Sequence, residues 1–489
     1  MAETRPLRVL VLNPMTRATK NVVRDVLYGC WCAGKRIGGA SVPPFPLVQL
    51  ATILAADGRR TTFLDAQAEQ KGPEVVAELV KGFDVVLCST STMSFTEDAA
   101  YLADLKAANP ALVTAVFGSH PTFMPRFALA APGVDYIVRR EPEYVVRDLC
   151  RGLAGEADPR ATPGVGYRDD AGEPVLNPEY PFIEDLDALP YPDVDFLPPG
   201  IHYFNPIVRR LPYMTATTSR GCPGKCTFCT APAFDGGRVR FASAGYVLGL
   251  IRYLRGKGYR EVYFRDDTFF VKKRRDREIC DGIRRENLDV TWLANARVSG
   301  IDPETMEMAG KAGCHTIKFG IESGSQAILD GMRKGYRLEQ AHAIFRAARR
   351  LGMNTHAHVM LGNPGDTAAS VEDTIEYVKA LAPTTATFGI CTPYPGTPLF
   401  ESVAEKHPEI RDGTTSDLSK LHVEGLFNAL YCDVSGEALN RMVRLAYRRF
   451  YLRPGYMLTL AARQVRNLDD LKRCLIAGTR VLDFVFRGA

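Results

Sequence analysis

Apolar runs of five to eight residues, rich in branched side chains and closed by polar or glycine-bearing loops, recur along the chain. Between them lie stretches whose apolar positions repeat every three or four residues. Residues 8–14 (Arg-Val-Leu-Val-Leu-Asn-Pro) open the series, and 60–65, 84–89, 112–118 and 134–138 continue it. Continuous hydrophobicity of this kind marks strands buried on both faces, as in a parallel sheet covered by helices. The helical periods fall at 47–56, 73–81 and 96–108. This pattern predicts an α/β, doubly wound, Rossmann-like domain over residues 1–152. Ligands of such sheets lie beyond the carboxyl ends of the strands, which places Asn13, Ser89 to Ser91 and Gly118 to Thr122 along one crevice.

Residues 153–211 are rich in proline, glycine and aspartate, with Leu189-Pro-Tyr-Pro192 and Leu197-Pro-Pro-Gly200 opposing regular helix. They are expected to form a linker, interrupted by a short hairpin at 164–168 and 174–177 around Asp170-Ala-Gly172. A second series of strands follows at 213–218, 261–265, 290–294, 316–321, 355–361 and 385–391, alternating with helices at 244–257, 325–332, 338–351 and 371–381. Six such units are too few for a closed eight-stranded barrel, so residues 212–434 are expected to form a partial, open-sided (β/α) barrel. Residues 435–489 read as a basic helical region, and no internal repeat is found.

Composition narrows the class. At 489 residues, with 46% hydrophobic and 24% charged residues, the chain has globular rather than disordered or fibrous character. Its apolar runs fall far short of the roughly twenty residues that span a bilayer. The first eight residues carry no apolar signal core, and the protein is expected in the cytoplasm. A net charge of +5 is too dispersed to argue for nucleic acid. Twelve cysteines with no secreted framework point, where they cluster, to metal or catalysis.

The clustering is tightest at Ser219-Arg-Gly-Cys222-Pro-Gly-Lys-Cys226-Thr-Phe-Cys229, directly after the first strand of the second series. Three thiolates in one strand-end loop suit a 4Fe-4S cluster, which ordinarily takes four cysteines. The remaining iron is then open to the amino and carboxylate groups of S-adenosylmethionine, whose carbon–sulfur bond an electron from the cluster can break. The competing reading is a structural zinc site. It requires a fourth ligand, which His202 or His315 would have to bring from a distance.

This segment resembles the radical S-adenosylmethionine (radical SAM) superfamily, whose hallmark is CxxxCxφC with an aromatic φ, here Phe228. Further similar segments follow in order: Arg265-Asp-Asp-Thr-Phe269, Gly320-Ile-Glu-Ser-Gly-Ser325, Gly362-Asn-Pro-Gly-Asp-Thr367 and Pro393-Tyr-Pro-Gly-Thr-Pro398. The resemblance implies that Cys222, Cys226 and Cys229 hold the cluster. It implies that Glu322 and Ser323 reach the ribose or methionine part of S-adenosylmethionine and that Met360 and Leu361 meet its adenine. Asp266 and Asp267 read either as contacts to the methionine amine or as helix caps, and Asp366 as a cap. His356 and His358 share one strand face and read as core.

A doubly wound domain ahead of such a barrel is similar to the cobalamin-binding branch of that superfamily. Val116-Phe-Gly-Ser-His-Pro-Thr122, Val134-Asp-Tyr-Ile-Val138 and Glu141-Pro-Glu143 carry that likeness. It implies that Ser89, Thr90, Ser91, Gly118, Ser119 and His120 contact the cofactor; ordinary strand-end turns are the alternative. Where histidine-ligating cobalamin domains have Asp-x-His-x-x-Gly, this chain reads Asp65-Ala-Gln-Ala-Glu-Gln70, so bound cobalamin would lack that lower ligand. The loop 28–36, with Cys30, Trp31 and Cys32, is expected to overhang the crevice and is given no catalytic role.

Between Arg441 and Arg487 eleven Lys or Arg residues face three Asp, interleaved with aromatics. The two readings are a helical subdomain packed on the barrel, which is favoured, and a peripheral membrane contact. Together these features lead us to expect a cobalamin-dependent radical SAM enzyme that C-methylates an unactivated carbon of a small-molecule or lipid substrate. Its electron donor would be a flavodoxin or ferredoxin. The alternatives are a non-methylating rearrangement, cyclisation, reduction or coupling, with or without cobalamin, and a cluster-bearing electron carrier.

Overall fold

The computed structural model describes residues 5–24, 36–411, 421, 425 and 427–487. The first sheet contains β1 (Arg8–Asn13), β2 (Arg60–Asp65), β3 (Val85–Thr90), β4 (Val113–Gly118), β5 (Tyr136–Val138), β6 (Val165–Arg168) and β7 (Pro174–Leu176). Their spatial order is β2-β1-β3-β4-β5-β6-β7. The first five run parallel, and β6 and β7 add antiparallel at the edge. The hairpin expected inside a linker is thus part of this sheet: β6 finds in β5 an edge whose backbone groups need partners. Strand order reverses between β1 and β3, and that switch point opens the crevice at Asn13 and Ser89.

The chain then forms β8 (Tyr213–Ala216), β9 (Ser219–Arg220), β10 (Arg240–Phe241), β11 (Glu261–Phe264), β12 (Thr291–Ala296), β13 (Cys314–Glu322), β14 (Asn354–Leu361) and β15 (Thr385–Ile390). Six of these make one sheet in the order β15-β14-β13-β12-β11-β8, parallel throughout, an open partial barrel. β9 and β10 pair as a separate antiparallel ribbon.

One apolar cluster joins the two sheets. The helix Phe45–Ala56 lies between them, and eight of its twelve residues are buried. Its lead-in segment is bound by the barrel: Thr215 Oγ1 donates to Pro43 O at 2.6 Å and Tyr213 Oη to Ser41 O at 2.5 Å. Under the barrel, Trp292 is fully buried against Phe264, Phe269 and Phe270. Its indole donates to Ala312 O at 2.8 Å, so a large apolar surface is buried without an orphaned donor.

The C-terminal region folds as the helices Gly436–Tyr451, Pro454–Gln464 and Leu468–Arg487. The first sets Tyr447 and Phe450 against Phe388 of β15. Among the described residues no helix is long and apolar enough to cross a membrane.

Candidate functional site

The carboxyl ends of the two sheets face one another across two cavities. The larger, about 700 Å³, is lined by Asn13, Gln67, Ser89 and Gly118 from the first sheet, by Arg220 and Arg265 from the barrel, and by Phe484 of the last helix. The smaller, about 200 Å³, is lined by Cys222, Cys226 and Cys229. Asp267 borders both.

The cysteine loop is fastened from several sides. Gly221 takes φ 88°, and a Cβ there would lie 2.0 Å from Arg238 O, so only glycine lets the chain turn off β9 so close to β10. Asp266 accepts from Thr218 N at 2.5 Å, Thr218 Oγ1 at 2.8 Å and Ser219 N at 2.7 Å. It is fully buried, so it neither caps a helix nor faces a ligand; it ties the end of β8 to that of β11. Inside the triplet, Thr227 N donates to Met332 O at 3.1 Å and Thr227 O accepts from Leu399 N at 2.9 Å. Arg220, two residues before Cys222, donates to Glu141 and Glu143 of the first domain, each at 2.5 Å. Arg240 also donates to Glu141, at 2.8 Å. Burial pushes the Glu141 carboxyl up, but Arg220 and Arg240 hold it below the usual carboxylate range.

Gly224 N donates to Cys222 Sγ and Arg297 Nη1 to Cys226 Sγ, both at 3.4 Å. Burial raises the thiols of Cys222 and Cys229, and the Asp267 carboxylate raises Cys229 further. Their thiolates therefore call for positive charge. Among the described residues no three Cys, His, Asp or Glu side chains gather as they would around a single metal ion. Three soft donors along one wall, with N–H and guanidinium groups directed at sulfur, fit an iron–sulfur cluster.

Of the residues matched to the S-adenosylmethionine segments, Phe228, Asp267, Glu322 and Met360 line the small cavity. Ser323 and Leu361 do not. Both are fully buried, and the Ser323 hydroxyl accepts from Ser325 N at 3.1 Å and lies 3.3 Å from Thr374 Oγ1. Glu322 adopts a left-handed φ of 64° after a register shift in β13. Lys334 Nζ donates to its carboxylate at 2.6 Å. The Lys334 carbonyl accepts from Arg297 at 2.5 Å, so a polar chain runs from Glu322 through Lys334 and Arg297 to Cys226. Sequence reasoning missed both cations, since neither stands in a motif.

Asp366 is not the cap of the following helix. Thr367 is the N-cap, while Asp366 accepts from Asn363 N at 2.8 Å and Ser370 Oγ at 2.6 Å, closing the turn. His356 bonds Thr385 Oγ1 at 2.7 Å and His358 bonds Thr387 Oγ1 at 2.9 Å. Burial, then the charge of Lys318, keeps both imidazoles neutral.

The residues expected at the first sheet divide. Ser89 and Gly118 face the large cavity, whereas Ser91 and Ser119 line the small one. Thr90 is fully buried and donates to Asp98 at 2.9 Å. His120 is stacked on Phe95, with 4.4 Å between ring centroids, and burial lowers its pKa to about 3, so it is neutral and turned away from both cavities. A Cβ on Gly118 would lie 2.2 Å from Thr90 O, so glycine serves the close approach of β3 and β4 themselves. Gln67 accepts from Val22 N at 2.7 Å and donates to Asn13 at 2.8 Å. The strand ends at the large cavity thus present the carboxamides of Asn13 and Gln67, the Ser89 hydroxyl and the Asp65 carboxylate, a polar lining that fits a broad flat cofactor. Residues 28–35, including Cys30, Trp31 and Cys32, lie outside the described residues.

Comparison with known proteins places these features. The model of the Radical SAM superfamily matches residues 217–378 and that of the B12 binding domain residues 38–150. An uncharacterized methyltransferase of Pyrococcus horikoshii is 31% identical over 433 residues, 87% of this chain and 91% of the relative. The anaerobic magnesium-protoporphyrin IX monomethyl ester cyclase of Rubrivivax gelatinosus is 28% identical over 455 residues, 90% and 80% of the two chains. Among solved structures, the cobalamin-dependent S-adenosylmethionine radical enzyme OxsB superposes with a TM-score of 0.68 at 15% identity, over 99% of this chain and 74% of that one. The radical S-adenosylmethionine methyltransferase TsrM of Kitasatospora setae gives 0.65 at 18%, over 83% and 77%. These likenesses show the shared fold.

Proposed function

The chain belongs to the radical SAM superfamily, with a B12-binding domain ahead of its radical SAM domain, and from that premise we propose that it methylates an unactivated carbon of a hydrophobic small molecule or lipid. The observation that carries this reading is the meeting of two cavities at Asp267, one walled by the three cysteines and the other floored by the strand ends of the first sheet. A cluster held by Cys222, Cys226 and Cys229 would supply the electron that cleaves S-adenosylmethionine, and a cobalamin held at the strand ends of the first sheet would supply the methyl group.

The protein's part is placement. Cys222, Cys226 and Cys229 hold the cluster, and Arg297 offsets its charge from one side. Glu322, fixed by Lys334, and Asp267 orient the methionine and ribose part of S-adenosylmethionine, while Phe228 and Met360 border it. Asn13, Gln67, Ser89 and Gly118 would hold cobalamin in the large cavity. The cavity between them keeps cofactors and substrate together away from bulk water, which a carbon radical requires. The electron comes from a carrier such as flavodoxin or ferredoxin, and the enzyme works in the cytoplasm. The methyltransferase names of relatives such as the Pyrococcus protein support the reaction class.

The test is anaerobic reconstitution with iron, sulfide and cobalamin, followed by visible spectroscopy and assay with dithionite and methyl-labelled S-adenosylmethionine. The expected result is sharp corrin bands above a broad iron–sulfur shoulder, 5′-deoxyadenosine formation and label entering the cobalamin. Serine at Cys222, Cys226 or Cys229 abolishes 5′-deoxyadenosine formation and removes most of the iron. Iron loading and cleavage that survive those substitutions would refute the reading.

A further inference from the structure

The small cavity is also lined by a cation that neither the cysteines nor Glu322 uses. Lys318 stands on β13 before Glu322, about 13 Å deeper into the barrel at extended rise, and its side chain reaches the cavity beside Asn295 and His358. Lys318 Nζ donates to Tyr263 Oη at 2.6 Å and, among the described residues, forms no ion pair, with Asp267 or any other carboxylate. An ammonium only donates, so the Tyr263 hydroxyl accepts, and its own proton has no acceptor among the described residues. The Tyr263 ring serves a second cation. Lys318 Nζ lies 5.0 Å from its centroid and the guanidinium of Arg265, a wall of the large cavity, 5.8 Å. One aromatic ring thus joins a cation of the small cavity to a cation of the large one.

Two like charges on one ring repel, and an ammonium drawn out of bulk water favours a counter-charge. The nearby carboxylates are committed elsewhere: Glu322 to Lys334, Glu141 and Glu143 to Arg220, and Asp235 to Arg240. The wall next to Lys318 offers none, because burial and then the charge of Lys318 itself keep His356 and His358 neutral. The counter-charge is therefore one that a ligand brings. S-adenosylmethionine carries a carboxylate, but one that the open iron engages. The large cavity meanwhile adds apolar walls at Ile37, Phe117, Phe204 and Phe484, which suit the body of a molecule whose acidic end reaches the Tyr263 ring.

We propose that the substrate carries an acidic group, a carboxylate or a phosphate, which docks on Lys318 and Tyr263 while its apolar body lies in the large cavity, making Lys318 a specificity-determining residue. This deepens the function proposed above and rests on it for the place of S-adenosylmethionine. The experiment is calorimetric titration of the reconstituted holoenzyme, with and without saturating S-adenosylmethionine, by octanoate, octyl phosphate and the neutral octanamide. Wild type is compared with Lys318→Met and Lys318→Arg. The expected result is saturable binding of at least one of the two anions to wild type, at least tenfold tighter than octanamide. Lys318→Met loses that preference and Lys318→Arg keeps it, with iron per chain and affinity for S-adenosylmethionine unchanged in both. Absence of anion binding to wild type, or equal binding of octanamide, overturns the proposal without recourse to any variant. So does a Lys318→Met protein that still prefers the anions but binds S-adenosylmethionine more weakly, which would assign the cation to the methionine carboxylate. Formation of 5′-deoxyadenosine on the same preparation keeps the two readings apart: its absence refutes the cluster, whereas a missing anion preference with cleavage intact refutes only the acidic substrate.

Discussion

At Glu322 the backbone enters the left-handed region, a conformation that costs a non-glycine residue about 1 kcal/mol or more. The return is a carboxylate turned into the small cavity and gripped by Lys334. Removing one partner of such a buried pair costs about 3–5 kcal/mol, because the other charge stays behind unpaired. Lys334→Met is therefore expected to lower the thermal midpoint and to raise the KM for S-adenosylmethionine about tenfold, a loss of roughly 1.4 kcal/mol, while iron per chain is unchanged. Adding Glu322→Gln restores the midpoint but not the KM; recovery of both would remove Glu322 from substrate contact. The cysteines were legible in the sequence because their chemistry lies within eight residues. Lys334 and Arg297 were not, since a lone cation has no signature until folding brings it to sulfur or carboxylate. The strand period separates two further assignments: neighbours on a strand point to opposite faces, so Met360 borders the cavity while Leu361 enters the core.

The edge strand β15 shows how an element is completed by residues far along the chain. An open parallel edge leaves backbone groups unpaired. Here Tyr451 Oη accepts from Ala386 N at 3.0 Å and donates to Ala386 O at 2.6 Å, and Tyr456 Oη donates to Thr384 O at 2.7 Å. Tyr451→Phe keeps the ring but strands both Ala386 groups, an expected loss of about 1–3 kcal/mol, read as a lower midpoint and faster hydrogen exchange at the Ala386 amide. Unchanged exchange there would mean that water already serves the edge. The long strands were legible because a parallel strand buried on both faces is a continuous apolar run. The ribbon of β9 and β10 was not, because two residues carry no period. The hairpin of β6 and β7 was seen, but its sheet was not, since membership depends on which edge is vacant.

The whole molecule works by bringing two independently legible units face to face, and the sequence carried little of that junction. Its firmest link is the buried cluster of Arg220 and Arg240 with Glu141 and Glu143, which runs from the first domain into the loop that starts at Cys222. Arg220 sits between two buried carboxylates that would otherwise face one another with one cation fewer between them. Its loss should free the cysteine loop from the first domain without touching a thiol. Arg220→Met is expected to bind iron on reconstitution but to lose it severalfold faster to a chelator, and to become more open to proteolysis between residues 177 and 212. Arg220→Met with Glu141→Gln and Glu143→Gln removes the stranded charges and should restore stability while leaving iron loss fast. If the triple variant holds iron as wild type does, the loop is kept in place by Asp266 and the β9–β10 ribbon alone, and the first domain contributes a cavity floor without bracing the metal site.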